Sequence, residues 1–171
     1  MILPGRAVFT RQIVQGLLSA KSQVQPCGID LSLKRVLAWT SPGVVDFDNK
    51  HRKTATTSEL LFEKGHGLDD GELRMHLAPG AYLVEFNETI DVPLDVMGSL
   101  FVRSSLFRSG ALVSTGVMDS GYKGTIGGML QVVNPHGITL FKDAKLAQFV
   151  FHEMKEKVEG YSGVYQNKTA M

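Results

Sequence analysis

Apolar and polar residues alternate along much of the chain, which is the pattern of strands that bury one face. Alternation or a short apolar run marks the following segments: 29–34, 73–77, 82–86, 99–102, 111–118, 126–133, 138–141 and 146–151. Tight turns separate several of them, and Pro79-Gly80 is the clearest turn signal. About a dozen short strands of this kind are typical of an all-β double sheet or jelly-roll barrel.

One segment near the N-terminus has the periodicity of a helix instead. Its apolar residues recur at spacings of three and four: Phe9, Ile13, Val14, Leu17 and Leu18. Thr10 stands where it can cap the first turn, and the polar run 19–22 ends the pattern. We therefore predict one helix over 8–19 that closes one end of the barrel.

The length of 171 residues predicts a single domain, 1–171, which can bury a core without help from disulfides or metal. Within it, 156–171 is a candidate mobile tail. A formal net charge of +1 and a pI near 7.9 give no broad basic surface. Polymeric nucleic acid is therefore not an expected partner.

Cysteine use and hydropathy indicate the compartment. Cys27 is the single cysteine and cannot form an internal disulfide, which favours a reduced, cytoplasmic setting. No apolar run approaches the roughly 20 residues that a membrane span needs. The segment 1–12 lacks the apolar region and cleavage site of a signal peptide. We expect no membrane association.

The run Arg103-Ser104-Ser105 combines a guanidinium, two hydroxyls and backbone N–H groups, a set suited to phosphate oxygens. Residues 106–110 are predicted to form one helical turn that ends at a glycine. The run would then lie near a helix N-terminus, where the N–H groups and the dipole favour an anion. A serine pair after an arginine is also common in ordinary loops, so the pattern alone leaves both interpretations open.

Asp119 is the single carboxylate between residues 103 and 134, and Tyr122 follows it just after a turn. A carboxylate and an aromatic ring beside anion donors are what a nucleotide-hydrolysing site needs. Asp-Ser-Gly is equally an ordinary turn sequence.

Two further acids interrupt predicted strands. Asp30 is either an outward-facing partner of the alternation or part of a phosphate and metal site. Glu85 is interpreted as structural, on a strand buried at a subunit contact. In the polar loop, Asp46, Asp48 and His51 resemble metal ligands, but a solvated loop is favoured for them. The same applies to His66 between its glycines.

Five segments resemble, in order, the signature motifs of the dUTPase and dCTP deaminase superfamily. They are 25–31, 103–110, 116–124, 143–151 and 160–167. The resemblance implies a distorted jelly roll that assembles as a threefold homotrimer with sites between subunits. It also implies a deoxynucleoside triphosphate substrate with Mg²⁺, and an indirect contact, through water, between Asp30 and the metal.

In the hydrolase branch, water attacks the α-phosphorus of dUTP and gives dUMP and pyrophosphate. The residue that matches Asp119 contacts the sugar 3′-hydroxyl and positions this water, and a carboxylate within hydrogen-bond reach can act as a general base. The residue that matches Tyr122 packs on the deoxyribose. The substrate-binding positions implied by the motifs are Arg103, Ser104, Ser105, Arg108, Gly116, Tyr122, Gln148, Tyr165, Gln166 and Lys168.

The deaminase branch uses a glutamate on the strand after the aspartate, and Met129 occupies that position here. No acid occurs anywhere in 125–133, and a thioether cannot carry protons to a cytosine ring. A zinc-type deaminase needs a Pro-Cys-x-x-Cys segment, which a single cysteine cannot supply. The sequence therefore favours dUTP hydrolysis over deamination.

Some features are nearer to the deaminase branch, among them Arg108 and the tail 160–167. In the deaminase branch a lysine precedes the tyrosine of this tail, whereas Val164 precedes Tyr165 here. Lys168 is the nearest lysine that could replace it. The link between Arg103 and Asp119 is also shorter than in typical members of the superfamily. Because this hairpin normally reads the base, uracil selection is the least determined part of the prediction. The alternatives are therefore a dCTP deaminase, alone or bifunctional, and a non-catalytic deoxynucleotide-binding trimer. The presence of Asp119 argues against the second.

Overall fold

Antiparallel strands make up most of the regular structure in a computed structural model that describes residues 1–65 and 71–170. The strands are β1 (Val14–Gln15), β2 (Val24–Gln25), β3 (Gly28–Trp39), β4 (Thr57–Leu60), β5 (Glu63–Lys64), β6 (Leu73–Leu77), β7 (Gly80–Asp91), β8 (Val96–Val102), β9 (Ala111–Ser114), β10 (Lys123–Val132), β11 (Ile138–Phe141) and β12 (Lys145–Glu153). The helices are α1 (Gly5–Thr10), α2 (Ala20–Gln23) and α3 (Ser104–Arg108). The predicted all-β class is confirmed.

One long sheet path closes almost completely on itself. Its order is β8-β12-β3-β7-β10-β9, with β1 on β7 and with β2 and β4 on β3, while β11-β6-β5 form a smaller sheet. A bridge between Gly98 of β8 and Met118, beyond β9, joins the two ends of the path through bonds of 2.9 and 3.1 Å. This near-closure covers strand edges that would otherwise be open, as in the predicted barrel.

The predicted helix over 8–19 is wrong in its bounds. α1 begins after Pro4, whose φ of −64° suits a helix start. The helical path ends before Gln12, which has a left-handed φ of 54°, and Val14 then pairs with β7. Ile13 and Val14 are both buried. An extended segment that lies between the core and the sheet can bury two consecutive residues in this way.

No helix in the described residues is long and apolar enough to cross a membrane.

The start of β3 is buried on both faces. Residues 28–33 are all buried, because β3 first pairs with β2 and β12 and then passes to β7 and β4. The interpretation of Asp30 as an outward-facing polar residue is therefore wrong, since it is 1% exposed. A carboxylate in such a place needs charged or hydrogen-bonding partners.

The strand that follows α3 is shorter than predicted. The arm expected over 111–118 ends at Ser114, and a loop leads from there to β10. The predicted glycine stop is confirmed at Gly110, which has a φ of 78° and is followed by β9. The helix itself begins at Ser104, two residues before the predicted turn.

Apolar side chains from the facing strands form one core. The largest fully buried ones are Phe86, Phe149, Phe151, Ile13, Ile29, Leu31, Leu33, Ile90, Ile126, Leu130 and Leu146. Burying such a side chain stabilises a fold by roughly 1.5–3 kcal/mol. The strands that carry the polar residues described next are therefore firmly held.

Candidate functional site

A buried carboxylate between two cations marks the first part of the site. Asp30 Oδ2 lies 3.1 Å from Lys145 Nζ and 3.3 Å from Arg103 Nε. Gln148 Nε2 donates to the other carboxylate oxygen at 3.5 Å. Two cations therefore face this carboxylate, and guanidinium and ammonium groups both suit phosphate oxygens.

Both cations of this cluster are held from more than one side. Arg103 Nη1 donates to the carbonyl oxygen of Lys145 at 3.3 Å, and Lys145 Nζ donates to that of Ser22 at 2.8 Å. The side chains of Arg103 and Lys145 nevertheless remain 32% and 28% exposed. The two cations are thus fixed in direction and still open to an anion from solvent.

The predicted serine pair opens α3 beside this cluster. Ser104 and Ser105 are exposed, and Arg103 precedes them in an extended conformation with a ψ of 144°. Leu106 is buried and anchors the short helix to the core. Arg108 is the exposed last residue of α3. The structure therefore brings Asp30, Gln148 and the start of α3 into one region through Arg103.

Asp119 lies in the loop between β9 and β10, with its side chain exposed. Hydrogen bonds to backbone carbonyls fix the loop: Ser120 Oγ donates to that of Val96 at 2.6 Å, and Tyr122 N donates to that of Asp119 at 3.2 Å. Gly121 has a φ of 78°, a conformation that glycine adopts most readily. The turn predicted from Asp-Ser-Gly is present and leaves the carboxylate free to face solvent.

A cleft of about 520 Å³ opens beside this carboxylate. Its lining residues are Met97, Val117, Asp119, Ser120, Met154, Val158, Glu159, Gly160, Tyr161 and Ser162. Strand β8, the β9–β10 loop and the C-terminal segment thus form its walls. The cleft places Asp119 at the rim of a space with mainly apolar and small polar walls.

Tyr122 is 8% exposed and is covered by the C-terminal segment. Its hydroxyl donates to the carbonyl of Thr125 at 2.8 Å, and its ring meets the ring edge of Tyr161 at a centroid distance of 5.6 Å. Burial raises the pKa of the Tyr122 hydroxyl and the nearby Tyr161 adds to the rise, while the bond to Thr125 opposes it. A sugar can pack on this ring only if the covering segment moves.

The C-terminal segment lies along the start of β10. Gln166 Oε1 accepts from Lys123 N at 2.8 Å, and its Nε2 donates to the carbonyl of Gly121 at 2.8 Å. The carbonyl of Lys168 accepts from Thr125 N at 3.0 Å.

Tyr165, the third tail residue in the predicted site, lies under Arg52, whose Cζ is 5.0 Å from the ring centroid. Gln166 and Lys168 therefore contact the segment 121–125, whereas Tyr165 contacts the loop between β3 and β4.

The two parts of the predicted site lie apart within one chain. Asp119 follows Met118, which is bridged to Gly98, whereas Arg103 lies five residues further along the line of β8. Because the bridge is antiparallel, Asp119 is level with Met97, six residues from Arg103. At about 3.3 Å per residue in a strand, the two backbones are roughly 20 Å apart. Asp119 and Arg103 of one chain are thus too distant for both to contact a single phosphate group.

A second groove, of about 390 Å³, contains Gly116 and Met129. Met129 of β10 lies opposite Leu83 of β7 and Ser114 of β9, and it is 37% exposed. The full lining is Leu83, Ser114, Thr115, Gly116, Gly127, Gly128 and Met129. Among these described residues none is a carboxylate.

The polar loop after β3 behaves as a solvated loop. Asp46 Oδ2 accepts from the backbone N of His51 at 2.6 Å, and Asp48 pairs with Lys50 at 2.6 Å. The hydrogen bond from Lys50 lowers the pKa of Asp48. In residues 1–65 and 71–170, no three His, Cys, Asp or Glu side chains converge as metal ligands. His66 lies outside the described residues.

Glu85 is buried within the single chain. It is 0% exposed and accepts hydrogen bonds from Lys34 Nζ at 2.7 Å and from Arg35 Nη2 at 2.7 Å. The hydrogen bond between Arg35 and Glu85 raises the pKa of Arg35. The structural interpretation is supported, but the burial needs no subunit contact.

Two polar residues in this region were not predicted as site residues. Lys145 occurs in a matched motif, yet only the fold brings its ammonium to Asp30. Glu88 of β7 is 0% exposed and accepts from Gln23 and Ser32, on either side of Asp30 in the chain. Its neighbours in the sequence, Asn87 and Thr89, are also polar, so no local pattern marked Glu88 as a buried acid.

The Asp30 cluster also fits an indirect contact with Mg²⁺. Despite its two ion pairs, Asp30 Oδ2 has no aligned hydrogen-bond donor, so it can accept from a metal-bound water. Magnesium usually keeps several waters and binds substrate phosphates together with one or two carboxylates. The residues therefore suit a metal carried mainly by a triphosphate, and the role of Asp30 stays a prediction.

Comparison with known proteins identifies the family. A family model described as dCTP deaminase-like matches residues 6–154, and the chain belongs to this family. A solved 2′-deoxycytidine 5′-triphosphate deaminase from Agrobacterium tumefaciens has a similar fold, with a TM-score of 0.62 at 22% identity. The match covers 88% of this chain and 47% of that longer one, so the likeness supports the fold alone.

Archaeal relatives are closer in sequence. A probable deoxyuridine 5′-triphosphate nucleotidohydrolase from Methanosarcina mazei is 40% identical over 157 residues, 91% of this chain and 88% of the relative. The deoxyuridine 5′-triphosphate nucleotidohydrolase of Methanocaldococcus jannaschii is 34% identical over 148 residues, 86% of this chain and 90% of the relative. Both relatives are of nearly the same length as this chain.

Proposed function

We propose that this protein is a dUTP diphosphatase that converts dUTP to dUMP and pyrophosphate. Similarity to archaeal nucleotidohydrolases of 31–40% identity over most of the chain supports the substrate. The Asp30 cluster supports triphosphate binding through its two partly exposed cations, and Asp119 supplies a carboxylate at an open cleft.

The observation that carries hydrolysis rather than deamination is the acid-free groove around Met129. Deamination of cytosine moves protons at the ring nitrogen and the exocyclic amine, which needs a titratable group at the base. The groove that contains Gly116 and Met129 is lined by apolar, hydroxyl and glycine residues in the described chain. Asp119, by contrast, stands where a carboxylate can act on water.

In the proposed reaction, Asp119 accepts a proton from a water molecule whose oxygen attacks the α-phosphorus of dUTP. The bond between the α-phosphorus and the bridging oxygen breaks, and pyrophosphate leaves. Arg103 and Lys145 hold the phosphate oxygens, and the hydroxyls of Ser104 and Ser105 donate to them. Magnesium bound to the triphosphate supplies further positive charge for the leaving group.

The complete site is proposed to form between copies of the chain in a homotrimer. The separation of roughly 20 Å between Asp119 and Arg103 along one β8 supports this arrangement. A carboxylate from one subunit beside the cation cluster of another would remove the gap. Tyr122 and the tail residues Tyr165, Gln166 and Lys168 are proposed to cover the nucleotide once the tail rearranges. A reduced, cytoplasmic setting is expected from the single cysteine.

Product analysis tests this proposal. Purified protein is incubated with Mg²⁺ and either dUTP or dCTP, and the nucleotides and ammonia are measured. The expected result is dUMP and pyrophosphate from dUTP, with no ammonia from dCTP. Ammonia from dCTP would overturn the argument from Met129. Tight dUTP binding without turnover would identify a binding protein instead.

A further inference from the structure

Strand β3 changes partners close to Asp30, and side chains bridge the change. β3 pairs with β2 at Gly28 and Ile29 and with β7 only from Leu33 onward. Between these points, Gln23 Nε2 donates to the carbonyl of Asp30 at 2.9 Å, and Ser32 N donates to Glu88 Oε2 at 2.9 Å. An amide and a carboxylate thus replace the backbone bonds of a neighbouring strand.

Glu88 is the centre of this bridge. It is 0% exposed, and its Oε1 accepts from Gln23 Nε2 and from Ser32 Oγ, both at 2.6 Å. No Lys or Arg in residues 1–65 and 71–170 forms an ion pair with it at 4.0 Å or less. A buried carboxylate is costly unless hydrogen bonds compensate it, so Glu88 depends on these donors and fixes them in return.

The same network reaches both sides of the cation cluster. The Gln23 amide uses one N–H for Glu88 and the other for the carbonyl of Asp30. On the other side, Asn87 Nδ2 donates to Ser32 Oγ at 3.0 Å and to Asp143 Oδ1 at 2.8 Å.

Asp143 lies two residues before Lys145 and has a left-handed φ of 63°. Lys145 in turn donates to the carbonyl of Ser22, the neighbour of Gln23. The backbone of Asp30 and the ammonium group of Lys145 are therefore both attached to the network around Glu88.

We propose that Glu88 is a positioning residue for triphosphate binding: through Gln23 and Ser32 it sets the place of Asp30, and through Asp30 the direction of Arg103 and Lys145. Glu88 itself contacts no substrate in this scheme. The inference rests on the proposed function for its substrate, dUTP, and it goes further by assigning a role to a buried acid that the proposed reaction does not use.

The test compares Glu88→Gln with Glu85→Gln. Both residues are fully buried acids of β7, three positions apart, but Glu85 pairs with Lys34 and Arg35. In Glu88→Gln an amide N–H2 faces the donors of Gln23 and Ser32, so the local hydrogen bonds must rearrange. Binding of inorganic tripolyphosphate with Mg²⁺ is measured by calorimetry, and dUTP turnover by steady-state kinetics, at a temperature where circular dichroism shows each variant folded.

For Glu88→Gln we expect a rise of about tenfold in the tripolyphosphate Kd and in KM for dUTP, with a much smaller change in kcat. For Glu85→Gln we expect a lower Tm with KM unchanged. An unchanged KM and Kd in Glu88→Gln, or an equal rise in both variants, would contradict the positioning role. If Glu88→Gln does not fold, Ser32→Ala, which removes one hydroxyl from the network, carries the same expectation with a smaller rise.

The two proposals fail in different ways. If the wild-type chain binds tripolyphosphate but does not hydrolyse dUTP, the proposed function is wrong, and the Kd comparison still tests Glu88. If the wild type hydrolyses dUTP and Glu88→Gln has a wild-type KM and Kd, only the positioning role is wrong.

Discussion

The cation cluster around Asp30 and the loop that carries Asp119 are built in opposite ways. In the cluster, a buried carboxylate fixes Arg103 and Lys145 through side-chain contacts from several strands. In the loop, backbone bonds fix the turn, and the carboxylate itself stays exposed at a cleft. The loop is also bordered by the C-terminal segment, which contacts it through the side chain of Gln166 and the ring of Tyr161.

This difference indicates which part of the site is formed in advance. Groups that must hold a highly charged ligand gain from fixed positions, because fixed positions require no ordering when the ligand binds. An exposed acid such as Asp119, in contrast, can gain its remaining contacts when the substrate binds, the tail rearranges and a second subunit packs against it. We therefore expect substitutions in the cluster to affect binding and substitutions at Asp119 to affect turnover.

The largest effect is expected for Asp119→Asn. The amide cannot accept the water's proton, so kcat should fall by about 10²–10⁴-fold, the range for loss of a general base. Affinity for a non-hydrolysable dUTP analogue should change little, because the cluster around Asp30 is intact. Asp95→Asn, an exposed acid paired with Arg11, is the control. Unchanged turnover in Asp119→Asn would remove this residue from the reaction.

A smaller effect, on binding, is expected for Arg103→Ala. Losing a charge-assisted contact to phosphate should weaken binding by about 1.5–3 kcal/mol, seen as a raised KM for dUTP. Ser104→Ala should act in the same direction with a smaller rise, since a neutral hydroxyl is lost. Arg103→Lys keeps the charge and is the matched control. A fall in kcat without a change in KM would reverse the proposed division between the two regions.

Tyr122→Phe tests how much the hydroxyl bond of Tyr122 contributes to the stability of the loop. Loss of the hydroxyl bond to Thr125 should destabilise the fold by about 0.5–1.5 kcal/mol at pH 7, measured by urea unfolding. The raised pKa of Tyr122 means that the unfolded chain loses this proton at lower pH than the folded one. The stability due to Tyr122 is therefore present below about pH 10 and is lost as pH rises through its folded pKa.

The phenylalanine variant should lack this part of the alkaline loss, whereas Tyr82→Phe, a tyrosine bonded to the carbonyl of Ala78, should retain it. An identical alkaline slope in wild type and Tyr122→Phe would argue against the burial of this hydroxyl.

The smallest effect is expected for Arg52→Ala. The contact between Arg52 and the ring of Tyr165 is exposed and is worth about 0.5–1 kcal/mol. Its loss should speed amide hydrogen exchange along 160–168 by a few-fold and leave the strands unchanged. Lys53→Ala, the next residue, is the control. Equal exchange in both variants would show that this contact does not hold the tail.

Local patterns predicted β6 and β11 with their bounds, because apolar and polar residues alternate in both. The stop at Gly110 was also predictable, since a left-handed φ there favours glycine. The N-terminal segment was not, because pairing of Val14 with β7 outweighs a helical pattern that only local spacing supports. Long-range pairing of this kind leaves no mark within a short window of sequence.

The site was predictable in its residue types and motif order, and less so in its arrangement. The alternating pattern predicted that Asp30 faces outward. In the structure Asp30 is buried, because β3 pairs first with β2 and β12 and then with β7 and β4. Lys145 could not be assigned to Asp30, because residues more than a hundred positions apart meet only in the folded sheet. The family resemblance, by contrast, is confirmed across residues 6–154.

Hydrolysis of dUTP in ¹⁸O-labelled water tests the central claim most directly. If water attacks the α-phosphorus, mass spectrometry will find one labelled oxygen in dUMP and none in pyrophosphate. Label in the pyrophosphate would show attack at the β-phosphorus, and label in a uracil nucleotide formed from dCTP, with ammonia released, would show deamination. Either result would contradict the account.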